Sequence, residues 1–349
     1  MADIRDLLGI ELPVIQAPMA GVQGSALAVA VSNAGGLGSL PCAMLTPEAM
    51  AAEMDVIRSA SDRPVNMNFF AHQPLPVTDQ QLQHWQDRLM PYYQELNIEP
   101  QPASGGRDPF NALHADVVEK YRPEVVSFHF GLPAADLLSR VRATGAKVIV
   151  SATTLEEGRW LADQGVDAII AQGLEAGGHR GIFLTRDMDT QSGTFALLPQ
   201  LVAEVDVPVI AAGGICDLAG IRAAMQLGAA GVQMGTVYLL CDQTNTTALH
   251  RAALQDTAAH TALTNVFSGG PARGVVNRAM RELGPVSPDA PPFPQATAAL
   301  APLRSAAEAA GCGDFSPFWS GQNRRGCRLM DAGLLTRELA VDYIQEKIS

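Results

Sequence analysis

The chain has 349 residues, 47% of them hydrophobic and 17% charged, which is the balance of a globular protein with one large domain and an extension, or with two domains. The formal net charge of −12 at pH 7 argues against a nucleic-acid-binding surface, which needs clustered lysine and arginine side chains. A ligand that carries phosphate is not excluded, because backbone N–H groups and helix N-termini bind anions without a basic surface.

The N-terminal residues and the cysteines show no pattern of secretion or of metal binding. Asp3 and Asp6 precede no long apolar stretch, so we expect no signal peptide, and no run approaches the roughly 20 apolar residues that span a bilayer. The five cysteines are scattered and form no CxxC pair, which predicts neither a zinc site nor a disulfide framework. We therefore expect a reduced, cytoplasmic enzyme without a metal, a membrane or a nucleic acid as partner.

Eight short apolar runs recur along the chain, and segments of helical character separate most of them. The runs are 14–19, 37–40, 65–69, 125–130, 147–151, 168–172, 207–212 and 231–235. Strands that alternate with helices imply a parallel sheet, and eight of them imply a closed (β/α)8 barrel, the TIM barrel of the α/β class. Two of the intervening helices are predicted to begin at Thr154 and Asp217. Such barrels carry their active sites at the carboxyl ends of the strands.

Residues 71–124 interrupt this alternation after the third strand. Aromatic and leucine side chains recur at helical spacing over 78–96, and 97–109 is a loop rich in proline and glycine. A connection of this length is unusual between a strand and a helix. The segment is therefore predicted to be a helical insertion, which either covers the mouth of the barrel as a lid or extends into solvent.

After Tyr238 the pattern becomes helical. The predicted helices cover 247–260, 296–310 and 336–346, with a stretch rich in glycine and proline at 269–294. We predict that the barrel covers residues 1–240, that a smaller, mainly helical appended domain covers 241–314, and that 315–349 packs back on the barrel.

The loop after the sixth predicted strand contains the strongest candidate for catalysis. The strand ends at Gln172, and His179 follows among four glycines that include Gly177 and Gly178. Glycine lets the backbone approach a ligand closely, and histidine exchanges a proton near neutral pH. An isolated loop histidine is usually bonded to the backbone, but the strand end and the glycines favour a functional role for His179.

Other predicted strands also end in polar residues. His129 at the end of the fourth strand is either a core histidine or a hydrogen-bond donor to the substrate. Asn66 and Asn68 alternate on the third strand and so face one side, where asparagine is disfavoured unless it has a polar partner; Asn68 is expected to bond a planar polar ligand. Met19 follows Pro18, which ends the first strand and fixes the backbone for contact with a flat ligand.

Glycine turns follow the seventh and eighth predicted strands. Gly213 and Gly214 follow the seventh, and Gly235 and Thr236 follow the eighth. Free N–H groups in such turns bind phosphate oxygens together with a helix N-terminus, and a threonine adds a hydroxyl group. These four residues, called the phosphate cradle below, stand where barrels of this type often bind phosphate.

Together these segments resemble the nitronate monooxygenases, formerly called 2-nitropropane dioxygenases, over most of the chain. The segments that carry the resemblance are 13–21, 35–40, 66–70, 127–133, 172–181, 209–215, 233–236 and 318–322. The histidine-containing segment 172–181 is the most specific, and 127–133 is similar to the first class of the family, whose members act on nitronates. The resemblance weakens over 267–294.

The resemblance implies FMN as the cofactor and the oxidation of alkyl nitronates by O2 to an aldehyde or oxo acid and nitrite, through a flavin semiquinone. It suggests propionate 3-nitronate as the substrate, with His179 as catalytic base or substrate anchor and His129 sharing the substrate anion. The residues that it places near the flavin or its phosphate are Ala17, Met19, Asn68, Gln172, Gly177, Gly178, Gly213, Gly214, Gln233, Met234, Gly235, Thr236 and Gln322.

Three alternatives share part of this pattern. An NAD(P)H-dependent flavin reductase acting on quinones or enoyl thioesters would share the fold, FMN and much of the histidine loop. A dehydrogenase of the inosine-monophosphate type would share the phosphate cradle but would need a catalytic cysteine after the sixth strand, where this chain carries His179. A flavin carrier or binding module without activity would release no nitrite from a nitronate in air. The sequence leaves open whether the protein is a monomer or a homodimer.

Overall fold

The structure, a computed structural model, describes residues 3–100 and 107–342. The β-strands of these residues are β1 (Val14–Gln16), β2 (Gly38–Pro41), β3 (Val65–Phe70), β4 (Val125–His129), β5 (Lys147–Ala152), β6 (Ala168–Gln172), β7 (Gly178–His179), β8 (Val209–Ala212), β9 (Gly231–Met234), β10 (Thr261–Thr264) and β11 (Ala272–Val275). Eight of them pair in parallel in the order β1-β9-β8-β6-β5-β4-β3-β2. A further parallel bridge between Ile15 and Leu37 joins the two ends and closes the sheet. The predicted (β/α)8 barrel is confirmed.

Helices surround the barrel. They are α1 (Ile4–Leu8), α2 (Ser25–Asn33), α3 (Pro47–Ala60), α4 (Asp79–Glu95), α5 (Ala112–Tyr121), α6 (Ala135–Ala143), α7 (Leu155–Asp163), α8 (Thr194–Glu204), α9 (Leu218–Gln226), α10 (Ala248–Gln255), α11 (Arg278–Glu282), α12 (Ala296–Ala309) and α13 (Ala332–Leu339). The predicted helix starts are confirmed, since the side chains of Thr154 and Asp217 accept hydrogen bonds from the first turns of α7 and α9. None of the helices in the described part of the chain has the length and apolar character needed to cross a membrane.

The alternation of side chains along each strand divides the barrel into an apolar outside and a partly polar inside. On β3, Val65, Met67 and Phe69 pack outward in the core beneath the helices, whereas Asn66 and Asn68 face inward. Near the amino ends of the strands the barrel interior is apolar, and Ile4 and Leu8 of α1 belong to the same buried cluster as Ile15, Leu37 and Val125. The upper interior carries polar side chains at the carboxyl ends of the strands: Asn68, Ser127, His129, Ser151, Gln172 and Gln233.

A second core lies beside the barrel and joins segments that are far apart in sequence. Helix α4, from the predicted insertion, packs on α12, with the Trp85 Nε1 atom 3.3 Å from the Ala296 carbonyl oxygen and the Tyr93 hydroxyl 2.6 Å from that of Ala299. Because Trp85 and Tyr93 are buried there, α4 is not a solvated excursion. Helix α5 instead packs between α3 and α6 as a regular barrel helix. The domain boundaries at 240 and 314 stay a prediction.

The predicted helical pattern after Tyr238 needs corrections. The helix predicted over 247–260 ends at Gln255, and an antiparallel sheet in the order β10-β11-β7 follows. The stretch 269–294 contains β11 and α11, so the appended region is less helical than expected. These strands form because β11 pairs with β7 of the barrel loop, with Ala272 opposite His179, a long-range pairing without a local sequence signal. The predicted helix 336–346 begins at Ala332 as α13 and ends at Leu339, and 343–346 lie outside the described residues.

Candidate active site

A cavity of about 180 Å³ opens at the carboxyl ends of the barrel strands. It brings together nearly all the predicted site residues: Ala17, Met19, Asn68, His129, Gln172, Gly177, Gly178, His179, Gly213, Gly214, Gln233, Met234, Gly235 and Thr236. Gln322 is exposed and does not line the cavity, although its neighbours Gly321 and Asn323 do. The cavity therefore lies where the strand ends predicted it, and the implied contact of Gln322 with the flavin stays a prediction.

The phosphate cradle forms one part of the cavity wall. Gly213 and Gly214 have φ angles of 114° and 74°, in the left-handed region that favours glycine. The N–H groups of Gly214 and Gly235 donate no hydrogen bond to any residue that the structure describes. Such unpaired N–H groups next to the start of α9 are suited to anionic oxygens.

The segment after Phe318 holds the two turns of the cradle together. The N–H of Gly321 donates to the Thr236 hydroxyl at 2.8 Å, and the Asn323 side-chain amide donates to the Gly214 carbonyl oxygen at 2.9 Å. One segment thus bonds both turns, so their spacing depends on it. Sequence reasoning did not find Asn323, although it lies directly after the 318–322 segment.

Two amides on the strand ends differ in how much of their bonding capacity is used. Gln172 at the end of β6 donates to the His179 carbonyl oxygen at 2.9 Å and accepts from the Gly181 N–H at 2.8 Å, so it supports the histidine loop. The Gln233 Oε1 atom on β9 is buried and has no partner among the described residues. Since a buried oxygen without a partner is costly, Gln233 is ready to accept a hydrogen bond from a ligand.

A buried arginine that the sequence analysis missed fixes the start of the histidine loop. Arg180 has no exposed surface, and its guanidinium donates to the carbonyl oxygens of Gln172 at 2.6 Å and Gly173 at 2.5 Å. It also donates to the Gln191 side-chain oxygen at 3.0 Å. The three acceptors are neutral, and burial lowers the pKa of Arg180 to about 10, so it remains charged at neutral pH.

His179 lies in β7, an edge strand of the small antiparallel sheet, with its ring against the cavity. Its Nε2 atom is 2.8 Å from the Ser268 hydroxyl, and its ring centre lies 5.1 Å from that of Phe293 and 5.4 Å from that of Trp319. Burial holds the pKa of His179 well below its usual 6.5, and the nearby charge of Arg107 lowers it further. The imidazole is therefore neutral at neutral pH.

His129 uses both ring nitrogens within the protein. Burial lowers its pKa to about 4, so the ring is neutral at pH 7. Its Nε2 atom lies 3.0 Å from the carbonyl oxygen of His179 and must donate to it, so Nδ1 accepts from the Ser151 hydroxyl at 2.9 Å. The geometry therefore places His129 as a support for the backbone of His179. Its implied contact with the substrate anion stays a prediction.

Sequence reasoning also missed three residues outside the barrel strands: Arg107, which lines the cavity, and Ser268 and Phe293, which contact the His179 ring. Ser268 and Phe293 lie in the 267–294 stretch where the family resemblance weakens, and Arg107 lies in the predicted loop 97–109. No local pattern distinguishes these residues, since only tertiary packing brings them to His179.

The architecture defines a class of protein before any comparison. A (β/α)8 barrel with its cavity at the carboxyl ends of the strands is the arrangement of an enzyme, and the unpaired N–H groups of the cradle suit a ligand with a phosphate tail. The chain belongs to the nitronate monooxygenase family, whose model matches residues 2–342.

Individual proteins agree with this assignment. The chain is 43% identical to a nitronate monooxygenase of Pseudomonas aeruginosa, covering 95% of this chain and 96% of that protein. It is 41% identical to one of Paraburkholderia phytofirmans, with coverages of 95% and 92%. The solved structure of nitroalkane oxidase from Streptomyces ansochromogenes superposes with a TM-score of 0.90 at 37% identity, covering 99% of both chains. FabK from Thermotoga maritima shares the fold, with a TM-score of 0.73 at 24% identity. The match covers 100% of this chain and 97% of FabK.

The family assignment makes this chain a flavin-dependent oxidoreductase, and the cavity fits a flavin. The unpaired Gln233 oxygen and the free N–H groups of the cradle offer partners for a ring edge and a phosphate. A Cβ atom at Gly235 would lie 3.4 Å from the Met19 sulfur and 3.3 Å from the Ala17 Cβ atom, so glycine keeps this part of the cavity open. The residues present can therefore hold the group that the family requires.

Proposed function

We propose that this protein oxidises alkyl nitronates with O2, with FMN as its cofactor and propionate 3-nitronate as a substrate. Two nitronate ions and one O2 give two aldehydes or oxo acids and two nitrite ions, which balances atoms and charge. The observation that carries the proposal is a neutral, buried His179 on the wall of the cavity that also contains the phosphate cradle.

FMN matches the cavity because it has one terminal phosphate and one flat ring. The N–H groups of Gly214 and Gly235 and the hydroxyl of Thr236 would hold the phosphate. Gln233 and Asn68 would bond the edge of the ring, since Gln233 has an unpaired oxygen and Asn68 donates to Ser127 in the same wall. When bound, the flavin supplies electron transfer between the substrate and O2.

The state of His179 favours a substrate that is already an anion. A histidine whose pKa is lowered by burial is a weak base, so it is poorly suited to take the carbon-bound proton of a neutral nitroalkane. It can hydrogen-bond the nitro oxygens of a nitronate, which needs no proton abstraction. Ser268 fixes the orientation of the ring, and Phe293 and Trp319 exclude water from it.

Nitrite release tests the proposal directly. The FMN-reconstituted protein is supplied with propionate 3-nitronate in air, and nitrite and O2 consumption are measured. Nitrite release is expected, and His179→Asn should lower kcat/KM at least about 100-fold with FMN still bound. His84→Asn is the control, because His84 is an exposed histidine paired with Asp289.

Two results would contradict the proposal. Undiminished turnover by His179→Asn would remove His179 from the mechanism. Rapid bleaching of the flavin by NADH under anaerobic conditions, with no nitrite from nitronate in air, would support the reductase instead.

A further inference from the structure

One positive charge in the active-site cavity is not explained by the fold. Arg107 lines the cavity and is partly buried. Within residues 3–100 and 107–342, no carboxylate oxygen lies within 4.0 Å of its guanidinium, and its side chain makes no hydrogen bond. Buried arginines normally have acceptors, as Arg180 and Arg273 do here. Arg107 therefore lines a ligand-sized space, and its donors have no acceptor among the residues that the structure describes.

The surroundings of Arg107 reinforce its charge. Its guanidinium carbon lies 5.9 Å from the centre of the Phe293 ring, so the cation packs near an aromatic ring. Arg304, whose charge also acts on Arg107, is paired with Glu308 at 2.8 Å. Asp108, the next residue in the chain, is exposed and forms no ion pair with Arg107. Arg107 thus adds to the cavity wall a positive charge that no carboxylate among the described residues pairs.

Phe293 connects this charge to the candidate catalytic residue. The centre of the Phe293 ring lies 5.9 Å from the guanidinium carbon of Arg107 and 5.1 Å from the centre of the His179 ring. The two groups are therefore within about 11 Å of each other. A nitronate with a carboxylate one or two carbons away spans about 5–6 Å between its end oxygens. With one hydrogen bond of about 3 Å at each end, such a substrate can reach between two groups up to about 11 Å apart, which covers the upper limit that Phe293 sets.

We propose that Arg107 binds a carboxylate at the far end of the substrate and so selects nitronates that carry a second negative charge. This inference rests on the proposed function and adds a specificity-determining residue to it. Arginine is suited to the task because its planar guanidinium bonds both oxygens of a carboxylate. The nitronate group would lie at His179 and the carboxylate at Arg107.

The test compares two nitronates with matched chain length. The FMN-reconstituted full-length protein and its Arg107→Met variant are assayed with propionate 3-nitronate and with propyl-1-nitronate, which lacks the carboxylate. Arg107→Met should lower kcat/KM for propionate 3-nitronate about 10- to 100-fold, mainly through KM, and should lower kcat/KM for propyl-1-nitronate at least about tenfold less. Arg107→Lys should retain part of the preference. Arg186→Met, at an exposed arginine outside the cavity, controls for the change in net charge.

A binding measurement separates specificity from turnover. Isothermal titration of the anaerobic holoenzyme with 3-nitropropionate, used as a carboxylate ligand, should show an affinity at least about tenfold weaker in Arg107→Met. The role of Arg107 would be overturned if Arg107→Met lowered kcat/KM equally for both nitronates or for neither. Unchanged binding of 3-nitropropionate would overturn it as well. Absence of nitrite from both nitronates in the unmodified protein would instead contradict the proposed function.

Discussion

Replacing Gly177 with alanine tests how the histidine loop is fitted against the cradle. A Cβ atom at this position would lie 2.5 Å from the Gly321 nitrogen and 2.5 Å from the Ser320 carbonyl carbon. These are backbone atoms, so no change of side-chain rotamer relieves the clash. To reach an ordinary contact of 3.4 Å, the 320–321 backbone or the loop must move by about 1 Å.

This shift would break a hydrogen bond that holds Thr236 of the cradle. The Gly321 N–H donates to the Thr236 hydroxyl at 2.8 Å, and a displacement of about 1 Å takes the pair out of hydrogen-bond range. The lost bond and the overpacking together predict that Gly177→Ala lowers the free energy of unfolding by about 2–4 kcal/mol. Because Thr236 belongs to the cradle, the affinity for FMN should fall about tenfold or more.

Urea denaturation of the apoprotein measures the first effect, and titration of FMN fluorescence measures the second. Gly220→Ala is the matched control, because Gly220 lies in helix α9 and its Cβ atom would meet no atom closer than 3.4 Å. That variant should keep its affinity for FMN and gain up to about 1 kcal/mol of stability from helix propensity. If Gly177→Ala matched the unmodified protein in both stability and FMN affinity, the derived contact between loop and cradle would be refuted.

Three further changes test individual groups. Burial lowers the pKa of His250 to about 4. Between pH 6.5 and 4, His250 is therefore protonated in the unfolded chain and mostly neutral in the folded chain. His250 alone should therefore lower the free energy of unfolding by about 1.2 kcal/mol for each unit that the pH falls near pH 5, and His250→Gln should reduce the slope seen in urea titrations by that amount. Ser268→Ala should lower kcat about tenfold without changing FMN affinity, since the Ser268 hydroxyl bonds the His179 ring at 2.8 Å and does not line the cavity; an unchanged kcat in steady-state assays would contradict this. Gln233→Ala should weaken FMN binding about tenfold, and an unchanged affinity in fluorescence titrations would place the flavin elsewhere.

The barrel and half of the cavity wall were predictable because both follow from periodicity. A strand that alternates places every second residue inside the barrel, so Asn68 at a strand end had to face the cavity once β3 was identified. Glycine turns after the last two barrel strands likewise predicted the cradle at Gly213 and Gly235. These inferences need only local sequence and the geometry of a closed parallel barrel.

The surroundings of His179 formed by Ser268 and Arg107 were not predictable from the sequence, because they depend on contacts between distant segments. Ser268 reaches His179 only because β11 pairs with β7, and Arg107 lines the cavity although it lies far in sequence from the strand ends that form most of the wall. The role of His129 shows the same limit, since the sequence placed it at a strand end but could not show that both of its nitrogens are bonded. The contacts of these residues are set by the tertiary structure and not by the local sequence.

A crystal structure of the FMN-reconstituted protein is the most direct test of the central claim, the placement of the cofactor. We predict the phosphate within hydrogen-bond distance of the Gly214 and Gly235 N–H groups, with the ring extending from there toward His179. A phosphate bound away from both glycine turns, or a protein that takes up no FMN, would contradict the account.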